Sequence, residues 1–131
     1  MQFNLTVCPD FKPDLISGWF FFNTWFQKQI NQGVHLEIYQ TFAEQDKAIE
    51  DKRVDIIYAN PCDVARLVRD EGFIPIAKPK EKPDEAIIAS LKEGSIHGFD
   101  DIPEQVRIAH TSARDVNTIG MIMLEPADLE A

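Results

Sequence analysis

Strand-like and helix-like segments alternate through the first 77 residues, and this order constrains the fold more than any other feature of the chain. The strand-like stretches lie at 2–8, 34–39, 54–59 and 73–77. Between them, apolar residues recur every three or four positions, which is the spacing of an amphipathic helix. A helix between two strands returns the chain to the same end of a sheet, so the strands pair in parallel. The sequence therefore predicts an α/β fold, a parallel sheet flanked by helices.

The helix predicted after the first strand is unusually aromatic. Its apolar stripe consists of Leu15, Trp19, Phe22, Phe26 and Ile30, and Asn31-Gln32-Gly33 ends it. Phe20, Phe21 and Trp25 lie off that stripe. Because the helix is apolar around more than one face, we expect neighbours on two sides and place these aromatic residues in the core. The alternative is that the surplus marks a contact surface that drives self-association.

Three further elements are predicted before residue 73. Phe42, Gln45 and Ile49 share one face of a helix over 41–52. The run 54–59 is almost continuously apolar, which is typical of a central strand buried on both faces. Pro61 suits the first position of a helix that continues to Gly72.

The composition changes at 78–83, where lysine, glutamate and proline alternate as in a surface hinge. We assign 1–79 to a first α/β lobe, and 80–131 to the hinge and an incomplete second lobe. After the hinge we expect strands at 85–91 and 106–109, then a helix from Thr111 or Ser112 to Leu124. Ser112 and Asp115 have the spacing of a capping box. These elements are too few to close a core unaided, so we expect a fragment or a chain completed by another copy.

Charge excludes several classes of partner. Thirteen basic and 22 acidic residues give a net charge of −9, which opposes binding to nucleic acid and to anionic membranes. No apolar run is long enough for membrane insertion. The first residues lack the features of a signal peptide, so the chain is cytoplasmic as given, or periplasmic with its signal removed.

Chemical motifs are sparse. His35, His97 and His110 lack metal-binding spacing, and no glycine-rich nucleotide loop occurs, so we expect no metal and no cofactor. Cys8 and Cys62 make no zinc or redox motif, although a single bridge between them stays open. A Cys62 and His110 hydrolase would still require an oxyanion hole and an orienting group, which nothing supplies. The sequence therefore predicts that the chain is not an enzyme.

Four stretches together resemble one known family. They are a strand leading into a loop at Leu5–Pro9, a helix, "V-D" turn, strand and "N-P" loop at Glu50–Pro61, and the segments Glu85–Ala89 and Phe99–Ala109. Their order resembles the N-terminal portion of the substrate-binding proteins of phosphonate and phosphate ABC transporters, which have the type II periplasmic-binding fold. The resemblance implies two lobes, a small ligand bound in the cleft between them without catalysis, and an ABC permease as partner of the full-length protein.

Ligands of such folds bind where strands end and helices begin, because backbone N–H groups are exposed there. The candidate ligand-binding residues are Asp10, Phe11, Tyr39, Tyr58, Asn60, Thr111, Ser112, Asp115, Asn117 and Thr118. Three of these residues have a simpler structural explanation too: Asp115 as a helix cap, Asn60 as a turn residue and Tyr58 as part of the core.

The sequence departs from the family pattern in two places. Asp115 to Thr118 stand where the phosphonate binders have Ser-Thr-Ser-Gly, and Val64 replaces a tyrosine. A carboxylate at this position would repel an anionic ligand. An amine, a polyol and the absence of any ligand therefore stay open alongside phosphonate.

The function predicted from the sequence is thus a solute-binding module. The alternative is a cytoplasmic sensor-input or protein-interaction domain that uses the same fold without transport. In either case the unfinished second lobe and the aromatic surplus predict a homodimer or a domain-swapped oligomer.

Overall fold

The computed structural model describes residues 1–83 and 86–127 and has the predicted α/β architecture. The chain forms two compact units, Met1–Pro75 and Ile76–Ala131. The sheet and the first three α-helices belong to the first unit. The assignment of 1–79 and 80–131 to a first lobe and an incomplete second lobe stays a prediction.

The sheet of the first unit contains three parallel strands. They are β1 (Gln2–Val7), β2 (Gly33–Glu37) and β3 (Ile56–Tyr58), in the order β2-β1-β3. Leu5 of β1 lies opposite both Leu36 and Ile56. The helices of this unit are α1 (Ile16–Ile30), α2 (Phe42–Glu50) and α3 (Pro61–Asp70), and a 3-10 turn at Pro13–Leu15 precedes α1. The predictions of the first two strands and of all three helices are confirmed.

The two faces of the sheet are covered by different helices. On one face, Leu5, Val34 and Leu36 are buried, and Trp19, Phe26 and Ile30 of α1 pack against them. On the other face, the buried residues come from α2, α3 and the segment before β3, namely Ala48, Ile49, Leu67 and Val54. Each face buries its own apolar cluster, which is the usual arrangement for a parallel sheet.

Polar side chains fix two of the helices to the strands. Gln45 of α2 is buried, and its Nε2 donates to the carbonyl of Val7 at 2.7 Å and to Oγ1 of Thr6 at 3.3 Å. Asn23 of α1 donates from Nδ2 to the carbonyl of Val34, and Oε1 of Gln27 accepts from the amide of Val34, both at 3.0 Å. These bonds satisfy buried backbone groups that the strand pairing leaves open.

The position predicted for the third strand is wrong. In the described sheet β3 lies at an edge and β1 is central, and Tyr58 at the end of β3 is 42% exposed. The reason is that the strand predicted at 73–77 does not form. Phe73 packs against the α2 and α3 cluster, but Ile74 and Ile76 are 80% and 81% exposed.

The second unit contains less regular structure than predicted. Residues 86–91 and 106–109 form no strand, and Ile87 and Leu91 are both 83% exposed; Glu85 lies outside the described residues. A short apolar run becomes a strand only where a partner strand supplies hydrogen bonds, and these runs have none among the described residues.

The last predicted helix is confirmed as α4 (Arg114–Leu124), but its predicted cap is wrong. The N-cap residue is Ala113, whose side chain makes no capping hydrogen bond. Oγ1 of Thr111 instead accepts a hydrogen bond from the amide of Ala113 at 3.0 Å. The turn before the helix thus uses the hydroxyl of Thr111, which leaves Ser112 outside the predicted capping box.

Much of α1 is exposed, contrary to the expectation of a core helix. Trp19 and Phe26 do pack against the sheet, but Phe20, Phe21 and Trp25 are 52%, 77% and 54% exposed. Ser17, Phe20, Phe21 and Thr24 line a shallow recess of about 320 Å³ on the outer side of this helix. We call the three exposed aromatic residues the outer α1 face.

Candidate functional site

The strand order places a topological switch point at the carboxyl ends of β1 and β3. The chain leaves β1 through α1 on one face of the sheet, and leaves β3 through α3 on the other. Connections that diverge in this way open the loops between two adjacent strands, and such switch points are the usual ligand sites of open α/β sheets. Two loops meet here, Cys8–Phe11 after β1 and Ala59–Pro61 after β3.

A bridge of polar side chains joins these two loops. Nδ2 of Asn60 donates to Oδ2 of Asp10 at 2.9 Å, and the thiol of Cys8 donates to Oδ1 of Asn60 at 3.8 Å. The amide of Cys8 donates to the carbonyl of Tyr58 at 2.9 Å, which extends the strand pairing up to the bridge. Asn60 is the N-cap residue of α3 but makes no capping bond, so its amide group is used between the loops.

An aromatic pair stands beside this bridge. The rings of Trp19 and Tyr58 lie 4.9 Å apart between centroids and are tilted by 52°. Trp19 is half-buried in the α1 cluster, whereas Tyr58 is 42% exposed. Tyr58 therefore presents part of its ring to solvent at the same end of the sheet as Asn60. Phe11 is half-buried in the loop after β1.

Tyr39 lies on the opposite face of the sheet from Tyr58, against the α2 and α3 cluster. Its hydroxyl donates to Oε2 of Glu37 at 2.8 Å. Burial and, second, this hydrogen bond raise the pKa of Tyr39 to about 12. The structure thus separates the two tyrosines that the sequence analysis assigned to one site.

We expect this environment to make the stability of the first unit fall at high pH. Unfolded tyrosine titrates near pH 10, so between about pH 10 and 12 the folded chain retains a proton that the unfolded chain loses. The contribution of Tyr39 is complete below pH 10 and is lost as the pH rises through 12. Absorbance titration of the phenol should show a step near pH 12 that Tyr39→Phe removes and Tyr58→Phe retains. Loss of that step in Tyr58→Phe alone would contradict the assignment.

The other five candidate residues lie in the second unit, around the start of α4. The amide of Asn117 donates from Nδ2 to the carbonyl of Thr111 at 2.9 Å, so these two residues are in contact. Asp115 is the second residue of α4 and is only 7% exposed. Ser112 and Thr118 are exposed.

Sequence reasoning missed two residues near the switch point. The sequence predicts Trp19 as a core residue or as part of a contact surface, and its contact with Tyr58 depends on the packing of α1. Asp63 was not singled out, yet it is the third residue of α3 and is 5% exposed. An acidic residue three positions after Asn60 is a recognisable first-turn signal, because carboxylates favour helix N-termini.

Among the described residues, Cys8 and Cys62 form no disulfide. Within residues 1–83 and 86–127, no group of three or more histidine, cysteine or acidic side chains could hold a metal ion. No helix in that part of the chain combines the length and apolar character that crossing a membrane requires.

The family model for the periplasmic substrate-binding protein of phosphonate ABC transporters matches residues 5–131. The chain belongs to this family. Searches of curated proteins and of solved structures gave no significant match. The match confirms the resemblance carried by the four sequence stretches. Members of this phosphonate-binding family bind substrates for ABC transporters and are in general not enzymes, so the family indicates a small-molecule ligand and an ABC permease partner.

Proposed function

We propose that this chain binds a small solute at the β1 and β3 switch point without transforming it. The observation that carries the proposal is the bridge from Asp10 through Asn60 to Cys8, which joins polar side chains of both loops at this switch point. Ordered polar groups beside an exposed aromatic ring are the usual means of orienting a small ligand. The family supports the same role, with an ABC permease receiving the solute in the full-length protein.

The experiment is a screen of the chain against phosphonates, phosphate, sulfonates, amines and polyols, with thermal shift followed by calorimetry. We expect one class to raise the melting temperature, because a ligand that binds only the folded state stabilises it. Asn60→Ala should weaken that binding about tenfold, since the bridge loses its central amide. Gln29→Ala, an exposed substitution in α1, is the matched control and should leave affinity unchanged. If none of these compounds stabilises the chain, the proposal is wrong.

A second candidate function is a sensor-input or protein-interaction domain, and the outer α1 face favours it. Three large aromatic side chains on one helix are more than half exposed, and exposed apolar patches of this kind commonly mark contact surfaces. We propose that a second copy of the chain covers this face in a homodimer. Association through α1 is compatible with solute binding, because the outer α1 face and the Asp10–Asn60 bridge use different residues.

A further inference from the structure

The positive end of α3 already carries a carboxylate of this chain. A helix N-terminus attracts anions because its first amide groups lack partners within the helix. Asp63 occupies the third position of α3 and is 5% exposed, and the Asp10 carboxylate is hydrogen bonded to the N-cap residue Asn60. A phosphonate approaching this end of α3 would therefore meet two negative groups.

The start of α4 also carries a carboxylate. Asp115 lies in the first turn of that helix and is 7% exposed. A dianion at either helix start would thus be placed beside a like charge, which is unfavourable. The net charge of −9 acts in the same direction, because it repels anions and draws cations toward the chain.

Asp10, in contrast, is available to a ligand. It is exposed, and its Oδ2 is held by the neutral amide of Asn60 at 2.9 Å. Among the described residues, the ion pairs do not include Asp10, and its Oδ1 has no hydrogen-bond partner. The thiol of Cys8 donates to Oδ1 of Asn60, which fixes the amide so that its NH₂ group faces Asp10. The carboxylate is thus positioned without being neutralised.

The ring of Tyr58 is a second group that favours a positively charged ligand, as the Asp10 carboxylate does. Tyr58 ends β3, and Asn60 follows two positions later with an extended backbone, so the ring and the bridge lie at the same end of the sheet. Tyr58 is tilted against Trp19 and remains 42% exposed. The faces of aromatic rings attract cations, and desolvation strengthens that attraction.

We propose that the ligand of this site is an organic cation whose ammonium group binds the Asp10 carboxylate and rests against Tyr58. This inference rests on the proposed solute-binding function and names its ligand class. The proposed ligand differs from the phosphonate named in the family description, because the group that the site binds is positively charged.

The test measures binding to the full chain by calorimetry with four probes: choline, ethylamine, ethylphosphonate and 3,3-dimethyl-1-butanol. The last is the uncharged isostere of choline. We expect at least one of the two cations to bind, and the isostere to bind at least about tenfold more weakly than choline wherever choline binds. Asp10→Asn should weaken cation binding about tenfold, since it removes the charge and keeps an oxygen that can accept from Asn60. Asp14→Asn, an exposed substitution in the 3-10 turn that follows this loop, is the matched control and should change affinity less than about twofold.

The outcomes distinguish this inference from the proposed function. If ethylphosphonate binds more tightly than both cations, the chain is a solute binder but the ligand class is wrong. If a cation binds with equal affinity to wild type and Asp10→Asn, or if choline and its isostere bind equally, the recognition mechanism is wrong. If neither cation binds, the inference fails. The wider compound screen then decides separately whether the chain binds any solute.

Discussion

Leu67→Ala is expected to lower the free energy of unfolding of the first unit by about 2–5 kcal/mol. Leu67 is 2% exposed and belongs to the cluster that joins α2, α3 and the segment before β3, together with Ala48, Ile49 and Val54. Truncation removes buried methyl groups and leaves a cavity that the surrounding helices fill only in part. Because a domain of this size has a total stability of roughly 5–15 kcal/mol, this loss is a large fraction of it.

Both tryptophans of the chain, Trp19 and Trp25, lie in α1, so their fluorescence during urea unfolding reports on the first unit alone. The matched control is Val68→Ala, which truncates the neighbouring residue of α3. Val68 is 41% exposed, and we expect a change within about 0.5–1 kcal/mol. Equal destabilisation by the two variants would show that Leu67 is not part of a packed core.

The second large effect is expected at the outer α1 face. If a second copy covers this face, light scattering of the wild-type chain should give about 30 kDa, twice the 14.9 kDa of one chain. The double variant Phe21→Gln, Trp25→Gln should give the mass of a single chain, since it removes the two most exposed aromatic side chains of the helix. Burial of apolar area contributes about 25 cal/mol per Å² to association, and glutamine forfeits most of that contribution. Glutamine is a good helix former, so α1 itself should persist.

The control for this experiment is the double variant Ile87→Gln, Leu91→Gln. Both residues are 83% exposed but lie in the second unit. This variant should retain the dimer, because it lowers the exposed apolar surface without changing α1. A wild-type chain of 15 kDa would contradict the proposed dimer, and dissociation of the control would show that association does not depend on the outer α1 face.

The sequence predicts the helices well because their periodicity arises from local chemistry. Thr41 ends up as the N-cap of α2, where its Oγ1 accepts from the amide of Glu44 at 3.2 Å, and Pro61 begins α3 as predicted. Strands are harder to predict from the sequence, since a strand depends on a partner elsewhere in the chain. The runs at 54–59 and 73–77 look equally apolar, yet only the first pairs with β1 in the described sheet.

The contacts within the candidate site also depend on residues far apart in the sequence. Asp10 and Asn60 could each be identified as residues at a strand end, but the hydrogen bond between them joins positions fifty residues apart. Nothing in the spacing around either residue indicates that bond. Likewise Tyr39 and Tyr58 both lie near the ends of strand-like runs, and only the observed packing shows that they lie on opposite faces. Topology, rather than local pattern, decides which candidate residues meet.

The strand order has a consequence for how the first unit folds. Its central strand is made first, yet Leu5 pairs with Ile56, which follows fifty-one residues later. A sheet of this kind contains no hairpin that could form early from neighbouring residues, and long loops must close before any pairing is gained. During synthesis one edge of β1 can pair once β2 has been made, but its other edge stays unpaired until β3 follows. We therefore expect slow and cooperative folding of the first unit, in which β1 is fully enclosed only after β3 has been made.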